Sequence, residues 1–304
     1  MSYISFLNKN RKPNENLTAY TFLLPWIIGF IFFTGGPIIA SIILSFTSWD
    51  LISVPKFIGL KNYIEMFSAN SNFWNTLKVT FLFTIFSVIV TLIWALLLAM
   101  LLNLKIRLKG LFQFFYFIPA VMPSVAMAFV FQLMFNKEIG VINYLLSFLG
   151  VKNGPNWLMD VKWVIPTLVF ICIYSYSTGQ MMLIFSASLK EVPKELYEAC
   201  EIDGGNFIQK FINVTIPAIS PVLLFNLVMA TISSFNGSFT IIYPLTGGGP
   251  GDATNVISLD IYKNAFQYFR MGYASALSTI MLIIVSVVSW LQFKISTKWV
   301  YYES

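Results

Sequence analysis

Histidine is absent from the 304 residues of this chain. That removes the side chain that titrates near neutral pH and is the commonest metal ligand, so histidine metal sites and histidine acid–base catalysis are excluded. Cysteine is nearly absent. Cys172 stands in an apolar run and Cys200 in a charged loop, so the two are expected at different depths, as small packing residues and not as a disulfide. Charge is the third scarcity: Asp, Glu, Lys and Arg make up 11% of the chain, against roughly 25% in a soluble domain. With 57% hydrophobic residues and a mean hydropathy of +0.75, there is too little charge to cover a water-facing surface, and the solvent for most of the chain is lipid. The net charge of +6 does not point to nucleic acid, because there is no basic helix and no run of five Lys or Arg; the cations sit beside apolar stretches.

What is abundant is long apolar sequence. Six runs have no Asp, Glu, Lys or Arg in their interiors: 21–46, 79–104, 111–135, 163–189, 217–245 and 273–293. Each exceeds the ~20 residues that a helix needs to cross a bilayer core. A single ion at a helix centre would cost about 2.5–3.5 kcal/mol on insertion scales. The pattern predicts an all-α integral membrane protein with six transmembrane helices. It divides into an N-terminal tail (1–20), a membrane domain (21–295) and a C-terminal tail (296–304). The first run is too long for a secretory signal and has no small-residue cleavage site, so it reads as a retained helix. Lys9, Arg11 and Lys12, then Lys105, Arg107 and Lys109, then Lys190, Lys194 and Lys210, and finally Lys294 and Lys298 all fall on one side if six spans alternate. The excess of cations makes that side cytoplasmic, with both termini on it.

Pro25 and Pro37 in the first run and Pro119 and Pro123 in the third remove helix hydrogen bonds. Membrane bundles tolerate this where neighbours re-satisfy the backbone, so these prolines set either bundle shape or a hinge. On the opposite side, Ile58-Gly59-Leu60 with Tyr63, Met66 and Phe67 predicts a short amphipathic segment at the lipid surface. A second is expected around 141–149, and Trp157 and Trp163 fit an interfacial aromatic belt.

The loop 190–216 is charged and broken by glycine. Pro193 suits a first helical turn, and 194–202 reads as a short helix. Glu195, Glu198 and Glu201 recur along one side of it, and Leu196, Tyr197, Ala199 and Cys200 give it an apolar face. Gly204-Gly205 ends it. Asn206 can cap a second short helix with Phe207, Ile208, Phe211 and Ile212, and Pro217 opens the next span. This is either an ordinary interfacial hairpin or a rigid knob for a cytoplasmic partner.

At these residues the chain resembles the permease subunits of ABC importers. Their signature runs Glu-Ala-Ala, three residues, Gly, nine residues, then Ile, any residue, Leu-Pro. Here stand Glu198, Ala199 and Cys200, then Gly204, then Val214, Ile216 and Pro217. The departures (Cys200 for Ala, Val214 for Ile, Ile216 for Leu) are conservative in size and polarity. The resemblance implies the type I ABC importer permease fold. It also implies that this loop is a cytoplasmic coupling helix seated in a groove of an ATP-binding subunit, through Glu198, Ala199, Cys200, Asp203, Gly204 and Pro217. A second set of residues is similar to the carbohydrate-uptake branch, the maltose F-type, multiple-sugar and raffinose permeases. It comprises Thr246-Gly247-Gly248-Gly249-Pro250-Gly251, Ala265-Phe266, Met271-Gly272-Tyr273-Ala274-Ser275-Ala276, Phe57-Ile58-Gly59-Leu60-Lys61-Asn62-Tyr63 and Phe117-Ile118-Pro119. The likeness covers nearly the whole chain. The extra helices and large exterior domain of the maltose type are missing, so the shorter raffinose and multiple-sugar type fits better. Implied partners are a second, similar permease, two cytoplasmic ATP-binding subunits, an extracytoplasmic solute-binding protein, a sugar and the lipid of a bacterial cytoplasmic membrane. The chain itself is expected to hold no catalytic residue, cofactor or metal. Gly247 to Gly251 lack the Gly-Lys-Ser/Thr ending of a nucleotide loop and read as a tight turn.

Polar residues inside spans mark pathways, although Ser and Thr also serve helix packing. The fourth and fifth runs are the most polar. Their candidates for the path are Tyr176, Gln180, Ser233, Asn236 and Tyr243, and Asn236-Gly237 permits a break in the helix. Neither run carries Lys or Arg, so a neutral sugar or oligosaccharide is expected ahead of glycerol phosphate or a sugar acid. The alternative from another class is an ion-coupled secondary transporter. It calls for Asp, Glu or His inside the membrane, and the six runs have none. A membrane enzyme would need converging reactive groups, and none converge.

Overall fold

The computed structural model describes residues 13–104, 107–120, 122–151, 153–174 and 176–301, without the side chains of 13–18, 120, 176 and 177. Helix α1 (Pro13–Phe30) starts within the predicted tail. It runs through a π turn (Ile31–Gly35) into α2 (Gly36–Leu44), and Pro37, which has no N–H to donate, sits in the first turn of α2 directly after that bulge. The apolar window of Ala19–Leu44 buries none of its residues; α2 leans on the last helix of the chain. A two-residue ribbon follows, β1 (Thr47–Ser48) against β2 (Lys56–Phe57), antiparallel with Thr47 opposite Phe57.

Helix α3 (Lys61–Phe67) is amphipathic as predicted, exposing Ile64 and Phe67, but it is fastened to the bundle. Its buried Asn62 donates to the carbonyls of Ser45 (2.7 Å) and Thr47 (2.9 Å), and Tyr63 donates to the Ser45 hydroxyl at 2.7 Å. The central element is α4 (Phe73–Asn103), 31 residues long, or roughly 46 Å at 1.5 Å per residue.

The predicted run 111–135 is where the structure departs most from six unbroken helices. It forms α5 (Lys109–Phe117), a 3-10 turn (Ile118–Ala120) and α6 (Ser124–Met134). Pro119 lies in the turn and Pro123 caps α6 with ψ 128°. Both lack an N–H, and each disfavours helical geometry in the residue before it. Neither half is long enough to cross a bilayer alone. Then come α7 (Val141–Phe148), α8 (Val161–Ile173) and α9 (Tyr176–Glu191). The predicted fourth span is thus a bent pair, turning by 48° between α8 and α9. Gly179 permits the close approach of α9 to α5, since a Cβ there would lie 2.7 Å from the Tyr116 carbonyl oxygen.

The chain continues through α10 (Lys194–Ile202), α11 (Phe207–Lys210), a π turn (Phe211–Thr215), α12 (Ile216–Ala218), α13 (Ser220–Thr246) and α14 (Ile257–Tyr262). A further π turn (Lys263–Gln267) leads into α15 (Met271–Ser296). Helix α13 passes unbroken through Asn236-Gly237, where the sequence permits a break. Among the described residues four helical stretches are long and apolar enough to cross a membrane (Ala19–Leu44, α4, α13 and α15), and the bent pair α8–α9 makes a fifth.

Among the described residues the apolar core has four clusters, and the two largest form two halves along α4. Phe83, Val164, Leu168, Ile242 and Leu259 anchor one. Ala95, Ala99, Met182, Phe185 and Ile219 anchor the other, where the small side chains of α4 let α9 pack closely. Large apolar side chains such as Phe22, Phe33 and Phe129 point outward, as a lipid-solvated protein requires. Both cysteines are free, Cys172 buried and Cys200 half-buried, as expected.

Candidate functional site

A cavity of about 630 Å³ opens between the two halves of the core. Its walls come from α4, α6, the end of α8 and α13. Phe83, Met127 and Phe131 give it apolar surface; Ser87, Thr91, Ser124, Tyr174, Ser233, Ser234, Asn236 and Thr240 give it hydrogen-bonding groups. Several of these are held in place. The Ser87 and Ser234 hydroxyls lie 2.9 Å apart and join α4 to α13, and Thr91 donates to the Ser87 carbonyl at 2.7 Å. Tyr174, at the bend after α8, donates to the Phe115 carbonyl at 2.9 Å and meets the Tyr116 ring edge-on at 6.3 Å. The lining carries no charged side chain among the described residues.

Of the five path residues predicted from sequence, the cavity collects Ser233 and Asn236. Both are exposed, and neither side chain has a hydrogen-bond partner among the described residues. Two predicted residues lie elsewhere. Gln180 sits exposed on α9 away from the lining, and Tyr243 lies beyond the cavity, stacked on Phe239. Gln180 is separated by the bend between α8 and α9, and Tyr243 by its place two turns along the uninterrupted α13 from Asn236. The side chain of Tyr176 lies outside the described residues.

Sequence reasoning passed over Ser87 and Thr91 because α4 is so apolar as a whole. The signal was spacing: Thr76, Thr80, Thr84, Ser87 and Thr91 recur every three or four residues, a polar stripe on one helix face, and all five are buried. The stripe continues from the cavity to one end of the bundle. There the Thr80 hydroxyl oxygen accepts the backbone N–H of Ile257 at 2.9 Å, and Thr76 accepts from Asn255 at 3.2 Å. Asn255 in turn accepts from Lys263 at 3.1 Å. Burial pushes the neighbouring Asp260 carboxyl above its ordinary pKa, against a hydrogen bond from Asn255 and the Lys263 charge. At the same end Arg270 grips both carboxylate oxygens of Glu65, at 2.6 and 2.7 Å, and lies 4.6 Å from the Tyr273 ring centroid.

The other end of the bundle carries the charged hairpin. Helix α10 spans Lys194–Ile202 as read from the sequence, with Pro193 one residue ahead as its N-cap. Gly204 takes φ +77°. Its N–H donates to the Glu201 carbonyl at 3.0 Å, and that of Gly205 to the Cys200 carbonyl at 2.8 Å. This paired arrangement satisfies the carbonyls left over at the helix end, and it needs the left-handed residue that glycine supplies cheaply. Asn206 and Gln209 then form a reciprocal capping box that starts α11. Glu201 pairs with Lys210 across the elbow, and the Tyr197 and Thr215 hydroxyls meet at 3.1 Å. The second helix differs from the reading: after one turn it widens into a π turn at Phe211–Thr215, and Pro217 lies within α12, ahead of the long α13. Tyr197 and Cys200 pack inward against Val214, while Glu198, Ala199, Asp203 and Gly204 face outward. Ile202, Phe207 and Ile208 are exposed at the tip, 86%, 74% and 64% respectively.

Interrupted spans around an uncharged cavity that sets hydrogen-bonding groups among apolar walls, with a rigid acidic hairpin at one end, fit the membrane subunit of a transporter. The chain belongs to the family of binding-protein-dependent transport system inner membrane components, which matches residues 91–300. It is 41% identical to the probable ABC transporter permease protein YesP of Bacillus subtilis over 95% of this chain and 94% of that one. It is 33% identical to the trehalose/maltose transport system permease protein MalF of Thermococcus litoralis, over 92% and 93%. It is 32% identical to the sn-glycerol-3-phosphate transport system permease protein UgpA of Agrobacterium fabrum, over 95% and 98%. Its fold matches a chain of a bacterial ABC transporter solved with an alginate-loaded periplasmic protein, with a TM-score of 0.80 at 23% identity, over 94% of this chain and 96% of that one. The fold is the type I ABC importer permease fold, as the resemblance implied, and the ion-coupled alternative falls away. The chain is a membrane transport component.

Proposed function

We propose that this chain is one of two permease subunits of a bacterial ABC importer for a neutral sugar or oligosaccharide. One observation supports the path: Ser233, Asn236, Thr240 and Tyr243, spaced three or four residues apart on α13, are all exposed in a helix apolar enough to span a membrane. A polar stripe of this kind is costly against lipid and useful against a hydrated sugar. The second permease closes the open side of the cavity. The uncharged lining favours a neutral solute over the phosphate suggested by the likeness to UgpA.

The hairpin is the coupling element. Glu198, Ala199, Cys200, Asp203, Gly204 and Pro217 form or position the surface that fits an ATP-binding subunit, and its end of the bundle is cytoplasmic, with both termini. Two such subunits hydrolyse ATP; closing them draws the coupling hairpins together and turns the cavity outward. A solute-binding protein delivers the sugar at the far end, a reading that the likeness to a transporter solved with such a protein supports.

The test is to purify the tagged chain from its native membranes in mild detergent and identify what accompanies it by mass spectrometry. A second permease and an ATPase in fixed proportion are expected. If neither accompanies it, and cross-linking from position 198 captures no ATPase, the importer reading fails.

A further inference from the structure

Four aromatic rings form a ladder that leaves the cavity wall on the side away from the hairpin. Phe239 and Tyr243, one turn apart on α13, lie nearly parallel with centroids 5.2 Å apart. Tyr262 of α14 touches both, at 4.9 and 5.1 Å. Phe266, in the π turn after α14, extends the series at 5.4 Å from Tyr262. The foot of the ladder is on the path: Thr240 and Asn236 line the cavity, and the seven residues from Asn236 to Tyr243 return the helix to the same face. Tyr243 is 38% exposed and Phe266 56%; Phe239 and Tyr262 between them are half-buried, with Phe239 against the core, so the ladder offers open ring surface at these two positions on a backing of fixed rings.

We propose that this ladder is a stacking subsite for the successive rings of an oligosaccharide, taking up the chain at the end of the bundle beside the loop 247–256 and passing it to the polar stripe of α13. The inference rests on the reading of this chain as a sugar permease. A sugar ring has a face of C–H groups and a rim of hydroxyls. An aromatic face takes the C–H face while the rim stays hydrated or bonded, so the ligand is held without stripping its hydroxyls of partners. Aromatic contacts are tolerant of position along their faces, which suits a chain that must slide. Four rings in series exceed what a single sugar ring covers, so the ladder favours chains over monosaccharides. Contact of the rings with one another distinguishes the ladder from an interfacial belt, whose rings meet headgroups one by one.

The test uses cells carrying the complete transport system, offered radiolabelled mono- to pentasaccharides of glucose, galactose, xylose and arabinose. Failure of the wild type to take up any of them overturns the sugar-permease reading and this inference together. For the series that is transported, Tyr243→Leu and Phe266→Leu should raise the uptake KM of the longest chain about tenfold, and that of the shortest no more than about twofold. Tyr243→Phe and Phe266→Tyr, which keep the ring, should stay near the wild type. Two results would overturn the ladder while leaving the permease standing. One is an unchanged KM for long chains in both Leu variants, which makes the rings packing. The other is loss of the second permease from the purified complex, which makes them a subunit contact.

Discussion

At the scale of the single residue, the informative contrast is between hydroxyls that are already satisfied and polar groups that are not. Ser87, Thr91 and Thr231 donate to backbone carbonyls, and Ser87 also meets the Ser234 hydroxyl, which is how membrane helices commonly use such residues. Asn236 has two donors and an acceptor facing open space. On the proposed path, its replacement by alanine removes a contact to the solute and not a structural bond. Asn236→Ala should lower uptake kcat/KM about tenfold, the worth of one or two hydrogen bonds, with unchanged amounts of chain in the membrane. Unaltered uptake kinetics would return Asn236 to a packing role. That Asn236 belongs to the cavity was legible in the sequence, because a large polar group in an apolar run needs a partner. That Gln180 does not belong was not legible, because the bend that displaces it is a property of two helices together.

At the scale of the element, the hairpin shows how far local chemistry reaches. The bounds of α10, the glycine elbow and the Asn206 cap were all readable, since each depends on residues within one turn of one another. The π turn at Phe211–Thr215 was not, because Val214 and Phe211 join a core cluster whose other members come from distant parts of the chain. Gly204 fixes the angle between the two short helices at φ +77°, a region that proline, locked near −65°, cannot enter. Gly204→Pro should leave membrane insertion intact and abolish uptake. Gly204→Ala, at about 1 kcal/mol of local strain, should reduce it only in part. Normal transport by the proline variant would mean that the hairpin does not couple. The broken third span makes the complementary point: Pro119 and Pro123 left either bundle shape or a hinge open, and the structure decided on a full turn between two short helices at the cavity wall.

At the scale of the whole molecule, the two ends of the bundle differ in kind. One carries the outward-facing acidic hairpin; the other carries the Thr76–Asn255–Lys263 network and the Glu65–Arg270 pair. The proposed orientation rests on the excess of Lys and Arg in the loops on the hairpin side. In a chain freed of its own thiols by Cys172→Ala and Cys200→Ala, a membrane-impermeant maleimide should label Glu198→Cys only in inside-out vesicles and Asp252→Cys only in intact spheroplasts. The reverse pattern would place the hairpin outside and remove its partner. By itself the sequence determined the solvent, the class of fold and the hairpin, because lipid permits almost no charge in a span and because caps and glycines act over a few residues; the breaks in the third and fourth spans came only with the structure. Only the tertiary structure decided which polar residues meet. A cavity is made by the crossing of α4, α6, α8 and α13, which are far apart in the chain, and a helix face becomes a wall or a surface according to what the other helices leave uncovered.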